Sequence, residues 1–197
     1  MSLTTTAINS VLTTALKQGI SYWRKKRINE LLEKLKTGGI NLDSPEVEKE
    51  EFISTLIYTA DALQKASGHQ KINYLIDIFV KGAQENKIIT DTDEVNELLS
   101  SISELSNKEI IVLSLCSQHL IHSSSDTSGK QVNESSEKLY KSVSSQLNIS
   151  FDESISVVAA IQRTGFIVPY NQPGKYPYYL RSYKMKTLLD YIHLTIN

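Results

Sequence analysis

Three side chains able to hold a metal ion, Cys116, His119 and His122, stand at C-x-x-H-x-x-H spacing. On one continuous helix the step from Cys116 to His122 turns about 600°, so the outer two share a face only if the helix ends near Leu120. Zinc also wants a fourth ligand, and only Asp126 is close in sequence. The spacing therefore predicts a buried free thiol beside surface histidines, with no metal and no cofactor. His69, near a helix start, and His193, near the C-terminus, have no evident partner. Acid–base chemistry fares no better. The carboxylates of Glu50-Glu51 and of Asp93-Glu94 occupy adjacent helical positions and point about 100° apart. No G-x-S-x-G elbow, phosphate-binding loop, dinucleotide fingerprint or H-E-x-x-H occurs. This inventory predicts a protein that is not an enzyme.

Charged and aromatic groups offer binding instead. Arg24-Lys25-Lys26-Arg27 puts four cations over one helical turn beside Tyr22 and Trp23, a pattern able to grip phosphates, an acidic partner or anionic headgroups. The membrane surface is disfavoured, because Thr13, Thr14, Lys17 and Gln18 dilute the apolar face before the run. Trp23, Arg24, Lys25, Lys26 and Arg27 are the candidate anion- or partner-binding residues, with a solvated helix face as the plainer reading. A second cluster comprises Arg163, Lys175, Arg181, Lys184 and Lys186, opposed by Asp190 and interleaved with Tyr170, Tyr176, Tyr178, Tyr179 and Tyr183. Cations among aromatics suit phosphate contact and base stacking, although tyrosines are also strong strand formers. Between Asp43 and Glu109 the chain is acidic, and basic ends around an acidic middle suit docking between domains or copies.

The elements that carry these groups are mostly helices. From about Thr6 to Lys36, apolar residues recur in steps of three and four through Ile8, Leu12, Leu16, Ile20, Trp23, Ile28, Leu31 and Leu35. That predicts one or two amphipathic helices, with a break near Gly19 and an end at Gly38-Gly39. Ser44-Pro45-Glu46 predicts the next N-terminus, carried on by Phe52, Leu56, Tyr58, Thr59 and Leu63. Ser67 and Gln70 have capping-box spacing for a following helix through Ile72, Leu75, Ile76 and Phe79, and the two should form an antiparallel hairpin. A short helix from Thr90 to Ile102 comes next. Ser106-Asn107-Lys108-Glu109 is a capping box before Ile110, Ile111, Val112, Leu113, Leu115 and Cys116, a helix apolar nearly all round and so central to a core.

At 197 residues the chain is long enough for one packed domain or two small ones. Its 21 Lys and Arg against 22 Asp and Glu exclude a basic nucleic-acid coat and an acidic tail protein, and one cysteine excludes an internal disulfide. No apolar run approaches the roughly 20 residues of a membrane-spanning helix. The opening residues lack the pattern of a secretory signal, so the expectation is a soluble protein of the cytoplasm.

The polar stretch from His122 predicts an exposed serine-rich loop over 122–132, before a helix from Asn133 to Leu147. Ser150 and Glu153 have capping-box spacing at the start of a helix with Phe151, Ile155, Val158 and Ile161 on one face. Gly165 ends it. Phe166 to Tyr170 reads as a strand, Asn171-Gln172-Pro173-Gly174 as a tight reversal, and Tyr176 to Tyr183 as the returning strand. Pro169 and Pro177 make both strands edge-like, and a last helix starts near Lys184.

This order, helix, short turn, helix, glycine, hairpin, helix, resembles the winged helix-turn-helix domain over roughly Ile102 to Asn197. The passage Ala160-Ile161-Gln162-Arg163-Thr164-Gly165-Phe166-Ile167 is similar to that family's passage from second helix to first wing strand, and the serine-rich insertion departs from it. The resemblance implies that the helix from Ser150 to Thr164 occupies the position that enters a DNA major groove. It would turn Glu153, Ser156, Ala160 and Thr164 outward, leaving Arg163 as the nearby side chain able to pair bidentately with guanine.

The architecture expected is mainly α, with a helical region over 1–101 and a winged-helix-like domain with a small β-hairpin over 102–197. The two can equally be parts of one continuous core, since no proline- or glycine-rich linker separates them. Two function classes follow. The first is a non-enzymatic regulatory or interaction protein whose helical half meets a protein partner or a second copy, with the wing domain as scaffold. The second is a nucleic-acid-binding regulator contacting its ligand through Arg163, Lys175, Tyr176, Arg181, Lys184 and Lys186.

Overall fold

A computed structural model describes residues 22–42, 44–122, 128–171 and 173–195, with the backbone alone for residues 22–25. The part of the first amphipathic pattern from Thr6 to Ser21, with its break near Gly19, lies outside the described residues. Among those described, the fold is mainly α, with nine helices and a two-stranded antiparallel hairpin near the C-terminus. No helix among them is long and apolar enough to cross a membrane. The chain divides into two compact units, Met1–Glu104 and Leu105–Asn197. The division falls just beyond the expected boundary at Ser101, because the helix begun at Thr92 runs unbroken to Glu104.

The first unit contains α1 (Tyr22–Thr37), a 3-10 turn (Pro45–Glu48), α2 (Glu50–Lys65), α3 (His69–Gln84), α4 (Lys87–Thr90) and α5 (Thr92–Glu104). Helix α1 buries Ile28, Leu31 and Leu35, one stripe at helical spacing. Lys34 reaches Asp77 of α3 at 2.6 Å, and the Gln84 amide donates to the Gly38 carbonyl at 2.9 Å. Phe52, early in α2, meets Phe79, late in α3, edge-on at 5.5 Å between ring centroids, so the two helices run antiparallel as their short connection requires. Both predicted starts differ in detail. Ser44-Pro45 opens only the 3-10 turn, and α2 begins at Glu50 after Lys49 has gone extended. Helix α3 follows Gly68, at φ 89°, so its N-cap falls one residue past Ser67 on a glycine with no side chain to cap it, and the Gln70 amide donates to the Tyr74 hydroxyl at 2.8 Å.

The second unit contains α6 (Asn107–His119), α7 (Gly129–Leu147), α8 (Phe151–Ile161) with a 3-10 turn (Gln162–Thr164), β1 (Ile167–Tyr170), β2 (Tyr178–Arg181) and α9 (Tyr183–Tyr191). Helix α6 is buried on most sides, and the capping boxes at Ser106 and Ser150 both close. A third box lies inside the expected loop. Ser128 accepts from the Gln131 N–H while the Gln131 side chain accepts from the Ser128 N–H, so α7 starts at Gly129. The exposed loop expected over 122–132 is therefore too long, and Val132 is buried against Tyr178 and Leu180. Its centre, 123–127, lies outside the described residues.

The hairpin pairs Ile167 with Arg181, Val168 with Leu180, Pro169 with Tyr179 and Tyr170 with Tyr178. Ser182 N–H donates to Phe166 O at 3.0 Å, so the ladder bonds fall on the even-numbered residues of β1. Ile167 and Pro169 thus turn their backbone to the open edge, where proline forfeits no ladder bond and blunts strand addition. In a two-stranded sheet both strands are edges, as expected from Pro169 and Pro177, but the outer side of β2 is partly covered. On the far side of β2, Arg181 N–H donates to Ile121 O at 2.9 Å and His122 bridges to Arg181. The returning strand begins at Tyr178, two residues later than expected, and Gln172 of the expected reversal lies outside the described residues. Between the strands Gly174 is pressed against Tyr178, where a Cβ would lie 2.3 Å from the buried ring.

Candidate functional site

The first basic cluster is anchored inward at its end. Arg27 donates from one guanidinium nitrogen to the carbonyls of Leu63 at 2.9 Å, Gln64 at 3.4 Å and Ala66 at 2.8 Å. Those carbonyls close α2, where the helix has no further N–H to offer and carries partial negative charge. Lys26 is exposed, whereas Trp23, Arg24 and Lys25 contribute only their backbone on the first turn of α1 to the description. A cation that sequence reasoning passed over does the same for α5. Lys71 is only 6% exposed and donates to Ser103 O at 3.0 Å. Its one sequence signal was a charged residue directly before the buried Ile72.

Several members of the second cluster are also tied down by the fold. Arg163 binds the Glu109 carboxylate and, at 2.6 Å, the Ala160 carbonyl, joining the first turn of α6 to the last turn of α8. That guanidinium, outweighing partial burial and helped by the Ser106 N–H, holds the Glu109 carboxyl down at about 2. Arg181 donates to Ser117 O at 3.2 Å, near the end of α6. Tyr176 stacks edge-on with Tyr140, Phe151 and Tyr178 at 5.3, 5.6 and 5.4 Å between centroids. Partial burial and the nearby Glu137 carboxylate raise the Tyr176 phenol above its ordinary range. Lys184 lies over the Phe166 ring, 5.2 Å from its centroid, and Lys175 and Lys186 are exposed. Of the six side chains nominated from sequence, Arg163, Arg181 and Tyr176 are thus engaged within their own unit, while Lys184 lies against Gly165 and Phe166, just past Arg163.

The outward face of α8 carries Asp152, Glu153, Ser156 and Ala160. Thr164, expected outward, is buried, donating to Ile161 O at 2.7 Å and accepting from Phe166 N–H at 3.3 Å. Bonds from the Ser150 N–H and hydroxyl depress the Glu153 carboxyl, keeping its charge on that face.

Cys116 is fully buried, and burial pushes its thiol well above the usual range, so it stays protonated. Helix α6 ends at His119, whose imidazole is shifted down by burial and by the Lys138 ammonium. His122 lies beyond the helix, its Nδ1 3.2 Å from Arg181 O. Among the described residues no three His, Cys, Asp or Glu side chains are placed to hold a metal ion. A cleft of about 430 Å³ in the first unit is lined by Asn41, Val47, Phe52, Gln84, Asn86 and Ile88 among others, with Glu46 at its rim. Its lining offers no acid–base pair. Exposed apolar side chains stand out more: Ile57 at 48% and Tyr58 at 38% on α2, Val168 on β1, and Tyr183 at 73% on α9.

Comparison of the chain with protein-family models, with curated proteins and with solved structures returns no match.

Proposed function

We propose that the protein is a non-enzymatic regulatory or interaction protein of the cytoplasm, with the C-terminal unit, winged-helix-like in the order of its elements, as scaffold. The observation that carries this reading is the use of the arginines. Of the four nominated arginines, whose planar forks suit phosphate best, the three with described side chains, Arg27, Arg163 and Arg181, all bind carbonyls or a carboxylate of their own unit. The face of α8 that the resemblance would send into a major groove opens with Asp152 and Glu153, which repel phosphates. Exposed Ile57, Tyr58 and Tyr183 instead suit contact with another protein.

A second reading, a nucleic-acid-binding regulator using the wing and last helix, draws support from exposed Lys175, Lys186 and Tyr183. Fluorescence anisotropy with duplex and single-stranded DNA and RNA over a salt series separates the two. We expect no binding even at low salt. A log–log salt slope of several units, at about 0.9 per phosphate contact on duplex DNA, would overturn the first reading in favour of the second.

A further inference from the structure

We propose that α2 is the contact between two copies of this chain, packed antiparallel across a two-fold axis that passes level with Ile57 and Tyr58. This rests on the interaction reading above and names its partner. One face of α2 is buried in its own unit through Phe52, Leu56, Ala60 and Leu63. The opposite face carries Glu50, Ser54, Ile57, Asp61 and Lys65, which fall within one stripe at 100° per residue, with half-buried Ile53 on one flank and Tyr58 on the other. A solvated helix face has polar residues along its whole length. Here the midpoint is apolar, one end carries Glu50, and the other carries Lys65 paired with Asp61.

That arrangement is self-complementary. Glu50 lies seven residues before Ile57, and Lys65 seven after Tyr58, so each charge stands about 10 Å from the midpoint. Turning a second copy by 180° brings Ile57 against Ile57 and Ile53, Tyr58 against Tyr58, and each Glu50 level with a Lys65 of the other copy. The match is isologous, as a two-fold contact must be. Lys65 already binds Asp61 of its own helix at 2.6 Å, and Glu50 makes no salt bridge among the described residues, so the partner's lysine completes it. One face of a 16-residue helix is smaller than the roughly 800 Å² per partner of a standard stable interface, so a weak dimer is expected.

Sedimentation equilibrium on the full chain, from about 10 μM to 1 mM, should show a reversible monomer–dimer transition with Kd near 0.1–1 mM. Ile57→Lys should leave a monomer over that range. Its position is exposed, so circular dichroism should stay unchanged, and Ile57→Ser serves if it does not. Glu50→Lys and Lys65→Glu should each weaken association about tenfold by setting like charges level. Mixing these two single variants in equal amounts should restore a dimer, because the unlike charges then face one another. A wild-type chain that stays monomeric throughout, or a dimer indifferent to Ile57→Lys and to the charge exchange, overturns the proposal. If the chain is monomeric yet Ile57→Lys loses a different protein partner, the dimer fails while the interaction reading stands. Nucleic-acid binding with a steep salt slope fails that reading by itself.

Discussion

Arg27 in the first unit and Arg163 in the second answer the same need with different partners. Each lies against the end of a helix, where carbonyls lack donors and the helix carries partial negative charge. Arg27 gives all its described bonds to three neutral carbonyls at the end of α2. Arg163 bonds one carbonyl of α8 and divides its charge with the Glu109 carboxylate. Among the described residues the first contact is made to carbonyls alone, which do not titrate. The second is tied to a proton, and the comparison teaches which half of the molecule should respond to acid.

Removing Arg27 should have the largest effect. Arg27→Met keeps the apolar stem but leaves the carbonyls of Leu63 and Ala66 without this donor, in a part-buried position. Bonds from a charged donor contribute about 1.5–3 kcal/mol each before water replaces them, so a loss of about 2–3 kcal/mol is expected. Urea unfolding measures it. The loss should be the same at pH 7 and pH 4, and a marked change across that interval would mean a carboxylate partner shares the site.

Arg163→Gln should cost less and vary with pH. The folded Glu109 carboxyl sits at about 2, below its ordinary 4.5, so its pairing is fully present above the ordinary value and is lost as pH falls through the folded one. The Arg163 side chain is 47% exposed, which screens the pair. The difference between wild type and variant should therefore be about 1 kcal/mol near neutrality. It should narrow between about pH 4.5 and pH 2. In the variant, the Glu109 carboxyl followed by NMR should titrate at a higher pH than in wild type. A constant difference down to pH 2 would leave the Ala160 carbonyl as the contact that matters.

The capping boxes at Ser106 and Ser150 were legible because both partners of each bond lie within one turn of sequence. The burial of Ile28, Leu31, Leu35, Leu75 and Phe79 was legible because helical spacing alone puts them on one face. The box at Ser128 was not, since Gly129 and Lys130 read as loop and the buried anchor Val132 finds its partners in β2, far along the chain. The arginines were illegible for the same reason on a larger scale. Arg27 binds residues 36–39 positions away, and Arg163 binds a carboxylate 54 away. A run of cations shows its charge in sequence but not which helix end the fold brings to it. Ile57 was missed in the opposite direction, because an apolar residue beside a buried stripe looks the same whether it faces the core or water.

The smallest effect should come from the lysines that the arginines leave behind. Lys175 and Lys186 are exposed, and neither appears in a salt bridge among the described residues. Lys184, half-buried, contributes a cation–π contact to the buried Phe166 ring, worth about 1 kcal/mol. The triple variant Lys175→Ala, Lys184→Ala, Lys186→Ala should therefore unfold within about 1 kcal/mol of wild type, well below the cost of Arg27→Met. If, as the interaction reading expects, wild type binds no nucleic acid, neither should the triple variant. If wild type does bind, and the triple variant both keeps its stability and lowers the salt slope by two or three units, the comparison sharpens differently: arginines hold the helices, and lysines hold phosphate.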